Sequence, residues 1–89
     1  MNVEDLNKYV NDDSVKGELT RELLGVLSDY KNDKINFKTK DDLVRSISEG
    51  FEAEKDLKDE ETAKFLRQAV YALLKVVWKS LITILKIIF

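Results

Sequence analysis

Apolar residues recur at three- and four-residue intervals along most of this chain, the spacing of one helical face. Val3, Leu6 and Val10 begin it. With Asn2 as a cap and acids in the first turn, they predict one short helix from Asn2 to Val10. The run Asn11-Asp12-Asp13-Ser14 breaks the pattern, and Asp13 or Ser14 can cap the next element. Leu19, Leu23, Val26, Leu27 and Tyr30 then lie on one face of a longer helix, from Val15 to about Lys31. Gly17 and Gly25 weaken it, and Gly25 is expected to let a neighbouring helix approach closely.

Residues 32–38 read as a loop, with Ile35 and Phe37 reaching into the core from a short extended piece. Thr39-Lys40-Asp41-Asp42 has the form of a capping box. The helix that follows carries Leu43, Val44, Ile47 and Phe51 on one side and should fade between Ala53 and Asp56. Asp59-Glu60-Glu61 opens the last helix, three acids complementing the helix dipole, and neither Gly nor Pro follows before Phe89.

That last segment differs from the others. Gln68, Ala72, Lys75, Lys79, Thr83 and Lys86 fall within an arc of roughly 80°. Apart from Arg67 and Ser80, the remaining circumference is apolar or aromatic. A surface helix usually shows an apolar stripe a little over about 100° wide, so this one has the pattern of a buried or membrane-embedded helix. Its length matters too. A helix from Asp59 to Phe89 would be about 46 Å long. The preceding residues can form a globule only roughly 27 Å across. About 10 to 12 residues, Trp78 to Phe89, should overhang.

Charge sharpens the division. All 17 Asp and Glu lie in residues 1–61 beside 10 Lys and Arg, a net −7, and the other 5 basic residues lie in 62–89 with no acid, a net +5. The expected architecture is all-α: a small bundle of three shorter helices plus one long apolar, cationic C-terminal helix. Residues 1–61 form an acidic head. Residues 62–77 pack in the same single domain, and 78–89 form a docking tail. Eighty-nine residues make one domain. A chain this short buries only about 60–65% of its unfolded surface, so self-association is an expected source of stability.

Composition bears on chemistry. There is no Cys, which removes disulfides and thiol chemistry, and no His, which removes the commonest general base and transition-metal ligand. Ser28 to Thr39 resembles a helix-loop-helix connection, but Thr39 stands where a calcium loop needs a bidentate Glu and Asp33 where it needs Gly. No metal and no cofactor are expected. Lys31, Lys34, Lys38 and Lys40 make a small basic cluster, read as a solvated loop in an acidic head. Nucleic-acid binding would need a basic face with stacking aromatics, which the head lacks. The paired carboxylates Asp12-Asp13, Asp41-Asp42 and Asp59-Glu60-Glu61 are accounted for by capping. No phosphate loop or nucleophile elbow occurs. An enzyme, or a site for a small-molecule substrate, is therefore not expected.

The expected function is that of an assembly or interaction protein whose C-terminal helix docks into identical subunits or a larger protein partner. The contact residues are Trp78, Leu81, Ile82, Ile84, Leu85, Ile87, Ile88 and Phe89, with a basic stripe of Lys75, Lys79 and Lys86. The alternative is a membrane-active accessory protein that inserts this helix into an anionic bilayer. Twelve Leu, Ile, Val and Phe in residues 68–89 give roughly −4 to −7 kcal/mol for insertion, while Lys79 near the midpoint costs about +2.5 to +3.5 kcal/mol. A lone span is marginal, and lying in the interface is easier. A third reading, an acidic decoy for a basic surface, is weaker because −7 is not extreme. The N-terminus lacks the apolar stretch of a secretory leader, leaving cytoplasm, virion and membrane periphery all open. Lys outnumbers Arg by 12 to 3, a bias expected of AT-rich genomes such as those of low-GC bacteria and their phages.

Overall fold

A computed structural model describes residues 1–54 and 59–77. The order is a 3₁₀ helix, Val3–Tyr9, followed by α1 (Val15–Lys31), α2 (Phe37–Glu54) and α3 (Glu60–Leu74). No strand occurs among the described residues. The three α-helices pack against one another pairwise, and the 3₁₀ helix lies against α1 and α3. The chain is an all-α helical bundle.

Local chemistry sets most of the boundaries. The Asp5 carboxylate accepts the Asn2 backbone N–H at 2.9 Å, so the first helix starts where the sequence places it. It is wound as a 3₁₀ helix, a form suited to short pieces. Ser14 Oγ accepts the Lys16 N–H at 3.3 Å and caps α1. At the other end of α1, Lys34 N–H reaches the Asp29 carbonyl at 2.9 Å and Asp33 N–H the Tyr30 carbonyl at 3.3 Å. These two bonds form a Schellman motif, with Asp33 at φ 61° in the position glycine usually takes. Asp59 caps α3, accepting from the Glu61 N–H at 3.1 Å and the Thr62 hydroxyl at 2.8 Å.

Three expectations need correction. First, α2 begins at Phe37, not after Thr39. Asn36 Oδ1 accepts the Thr39 N–H at 2.8 Å, so Asn36 is the cap and Thr39-Lys40-Asp41-Asp42 is already helical. Phe37 is thus the first helical residue and 40% exposed, while Ile35 packs partly against the core as expected. Second, the glycine at a close approach is Gly17, not Gly25. A Cβ on Gly17 would run into the Asp12 carbonyl, whereas one on Gly25 meets nothing within 4 Å among the described residues. Third, α3 stops at Leu74, and its final turn closes with Lys75 N–H on the Tyr71 carbonyl at 3.2 Å. Its fifteen residues are about 22 Å long. That fits within a molecule of 36 × 24 × 18 Å. The rest of the expected long helix, residues 78–89, lies outside the described residues.

The core gathers most of the predicted stripes, but in α2 Ile47 is only partly buried and Leu43, expected on the buried side, is 38% exposed. Leu19, Leu23, Leu24 and Leu27 of α1, Val44 and Phe51 of α2, and Phe65, Leu66, Ala69 and Leu73 of α3 are all buried. Val3 and Leu6 seal one side, and Val76 is the last core residue among the described ones. Within the polar stripe expected along the last helix, Gln68 and Lys75 are exposed but Ala72 is buried at 6%. The bundle therefore claims part of the arc the sequence leaves to water.

Candidate functional site

The expected contact residues Trp78, Leu81, Ile82, Ile84, Leu85, Ile87, Ile88 and Phe89, and Lys79 and Lys86 of the basic stripe, lie outside the described residues. Lys75 is described. It sits exposed at the C-cap of α3, with its Nζ 4.4 Å from the centre of the Tyr71 ring. What the structure resolves is the platform from which residues 78–89 begin.

That platform is built around Lys40, which the sequence reading assigned to a solvated loop. Lys40 is fully buried. Its Nζ donates to the carbonyl oxygens of Leu73 at 2.9 Å and Val76 at 2.7 Å. Asp41 Oδ1 lies 2.8 Å from the same nitrogen, at an angle that makes the contact an ion pair rather than a hydrogen bond. The two carbonyls take hydrogen bonds from the ammonium, and the carboxylate supplies its counter-charge. The rings of Phe37 and Tyr30 close over it, with centroids 4.6 and 5.6 Å from Nζ. Burying a lone ammonium costs several kcal/mol. Here the negative end of α3, a carboxylate and two ring faces offset that cost.

A second donor completes the clamp. Tyr30 O–H donates to the Val77 carbonyl at 2.6 Å. The last carbonyls of an α-helix have no partner inside it. Here α1 and α2 supply partners through side chains, and this ends α3 where no Gly or Pro does. In a continuing helix the Leu73 carbonyl would accept from Val77. Instead it accepts from Val76 N–H at 3.1 Å and from Lys40. A signal for Lys40 was present: counted from Lys40 itself, Val44, Ile47 and Phe51 follow at i+4, i+7 and i+11, which places the lysine on the apolar face. Starting the helix after Thr39 hid it.

The opposite end is held by polar contacts at the surface. Arg21 donates to the carbonyls of Val10 and Asp12 at 2.9 and 3.0 Å, fixing the turn that Gly17 approaches. Lys16 pairs with Glu61 at 3.0 Å, and that hydrogen bond raises its pKa above the usual 10.5. Ser14 hydrogen bonds hold the Asp12 carboxyl below 3.8, and the Thr62 hydroxyl and Glu61 N–H do the same for Asp59. Among the described residues there is no cluster of acidic side chains able to hold a metal ion, and no helix is long and apolar enough to cross a membrane.

Open clefts lie among the described residues. One lies between the 3₁₀ helix and α3, beside the Lys16–Glu61 pair. Another runs between α1 and α2 and is lined by Glu22, Ser46, Ile47, Gly50 and Phe51. Compared with known proteins, the chain matches no protein-family model, and no curated protein or solved structure is significantly similar to it.

Proposed function

We propose that this chain is a small non-enzymatic assembly protein. Its C-terminal segment, residues 78–89 beyond the stop of α3 at Leu74, mediates self-association or docking to a larger protein as a separate helix. One observation supports this reading: the end of α3 is already held by the other helices before those residues begin. Val76 is 4% exposed, and the carbonyls of Leu73, Val76 and Val77 accept from Lys40 and Tyr30. The sequence from Trp78 to Phe89 is apolar apart from Lys79, Ser80, Thr83 and Lys86. Such a surface calls for a partner, because monomers seldom leave a large apolar patch in water.

The test uses the full chain without detergent. Its mass in solution should exceed that of one chain, and Trp78 emission should be blue-shifted before any lipid is added. Truncation after Val77 should leave a folded, monomeric helical bundle. A chain that needs detergent, and whose Trp78 shifts only on anionic liposomes, would instead establish the membrane alternative. Unfolding on truncation would show that residues 78–89 are ordinary core.

A further inference from the structure

We infer that the bundles of two copies meet helix to helix: the outer stripe of α3 in one copy docks, antiparallel, on the outer stripe of α1 in another. The inference rests on the self-association proposed above and names where the bundles touch. On α3, Lys64, Gln68, Tyr71 and Lys75 are all exposed and follow at i, i+4, i+7 and i+11, so they share an arc of about 60°. On α1, Glu18, Glu22, Gly25 and Asp29 have the same spacing and share an arc of the same width. Glu18 and Glu22 are exposed, and Gly25 and Asp29 are half-buried. The charges of the first stripe are all positive and those of the second all negative.

The spacing reads the same in both directions, so the flanking charges decide the direction. A parallel pairing would set Asp59 level with Asp13 and bring Glu60 and Glu61 to the acidic start of α1. The antiparallel pairing carries those three acids past the end of α1 at Lys31. It sets Lys75 level with Glu18 and Lys64 level with Asp29. Between these pairs, Tyr71 and Gly25 fall on one side of the contact line and Gln68 and Glu22 on the other, each couple about 4.5 Å apart along the axes. Tyr71 is 60% exposed, and a Cβ on Gly25 would meet nothing within 4 Å among the described residues. The protruding ring thus meets the one position of the opposite stripe without a side chain, and the Gln68 amide is placed to donate to the Glu22 carboxylate.

The partner must be another copy. Lys16 pairs with Glu61 at one end of the two helices and Tyr30 with Val77 at the other, so α1 and α3 run parallel within a chain. An antiparallel contact between them joins two chains. The two stripes are different surfaces: Glu22 borders α2, whereas Lys64 and Gln68 border the 3₁₀ helix. The contact is therefore heterologous, and each copy can offer α1 to one neighbour and α3 to another. Exposed ion pairs are individually weak, so this contact orients copies that residues 78–89 hold together and does not replace that segment.

The experiment is a charge-reversal cycle on the full chain, read by sedimentation equilibrium, with circular dichroism to confirm folding. Lys64→Glu and Asp29→Lys should each weaken association about 5-fold, and the two together should recover most of the loss. Lys64→Glu combined with Glu18→Lys should not recover it, and recovery there overturns the antiparallel register. Gly25→Lys adds bulk and positive charge in open space. It should stay folded and weaken association about 5-fold or more. If these variants associate as the parent chain does while truncation after Val77 abolishes association, the two stripes do not meet and self-association stands. A full chain that is monomeric at high micromolar concentration overturns both.

Discussion

Lys40 Nζ donates to the carbonyl of Leu73 at 2.9 Å, joining the second turn of α2 to the last turn of α3 across 33 residues of sequence. Lys40→Met keeps most of the apolar stem but leaves the carbonyls of Leu73 and Val76 without this donor and Asp41 without its counter-charge. Removing one partner of a buried charge pair typically costs about 3–5 kcal/mol. Urea unfolding should show a loss of that size, and a loss below about 1 kcal/mol would mean that the ammonium does not hold the helix end.

The two glycines of α1 should respond in opposite directions. Gly17→Ala drives a methyl into the Asp12 carbonyl and displaces the turn that Arg21 fixes, at a cost of about 2–3 kcal/mol. Gly25→Ala enters open space at a half-buried position and should stabilise by about 0.5–1 kcal/mol through helix propensity. Thermal unfolding of both variants checks the pair; equal shifts would contradict the packing at Gly17.

Thr20 is fully buried, and its Oγ1 has no hydrogen-bond partner among the described residues. Thr20→Val has nearly the same shape and removes the unsatisfied hydroxyl. It should leave stability unchanged or raise it by about 1 kcal/mol. A marked loss would reveal a partner for that hydroxyl.

Acid should weaken two turns. The Asp12 and Asp59 carboxyls titrate below 3.8 because their charged forms accept hydrogen bonds in the folded chain. A group depressed on folding contributes stability above its unfolded pKa and loses it as pH falls through the folded value. The melting-temperature gap between the parent chain and Asp59→Ala should therefore be full above about pH 4 and shrink below it. At the alkaline end, Lys16 is raised by Glu61, so its contribution is present below 10.5 and lost as pH rises through the folded value. A gap at Asp59 that does not change between pH 7 and pH 2 would contradict the capping role.

Where the chain's own neighbours decide an element, the sequence reads well. Asn2, Ser14 and Asp59 are caps within a few residues of the groups they satisfy, and α1 ends at Lys31 as its periodicity implies. The start of α2 is misread because two plausible caps stand three residues apart, and Asn36 rather than Thr39 takes the N–H. The end of α3 is invisible to any local rule. Nothing between Asp59 and Phe89 breaks a helix, and the stop comes from Tyr30 and Lys40 on other elements. Lys40 itself looks like one more cation in a basic loop until the helix is extended back to Phe37.

The Tyr30–Val77 bond spans 47 residues. Helix ends ordinarily fray, exchanging their amide protons through small local openings. The final turn of α3 is tied to both other helices, so the amides of Lys75 and Val76 can open only when that docking is lost. Their exchange should track the unfolding of the whole bundle, making the end of its last helix as slow to exchange as its centre.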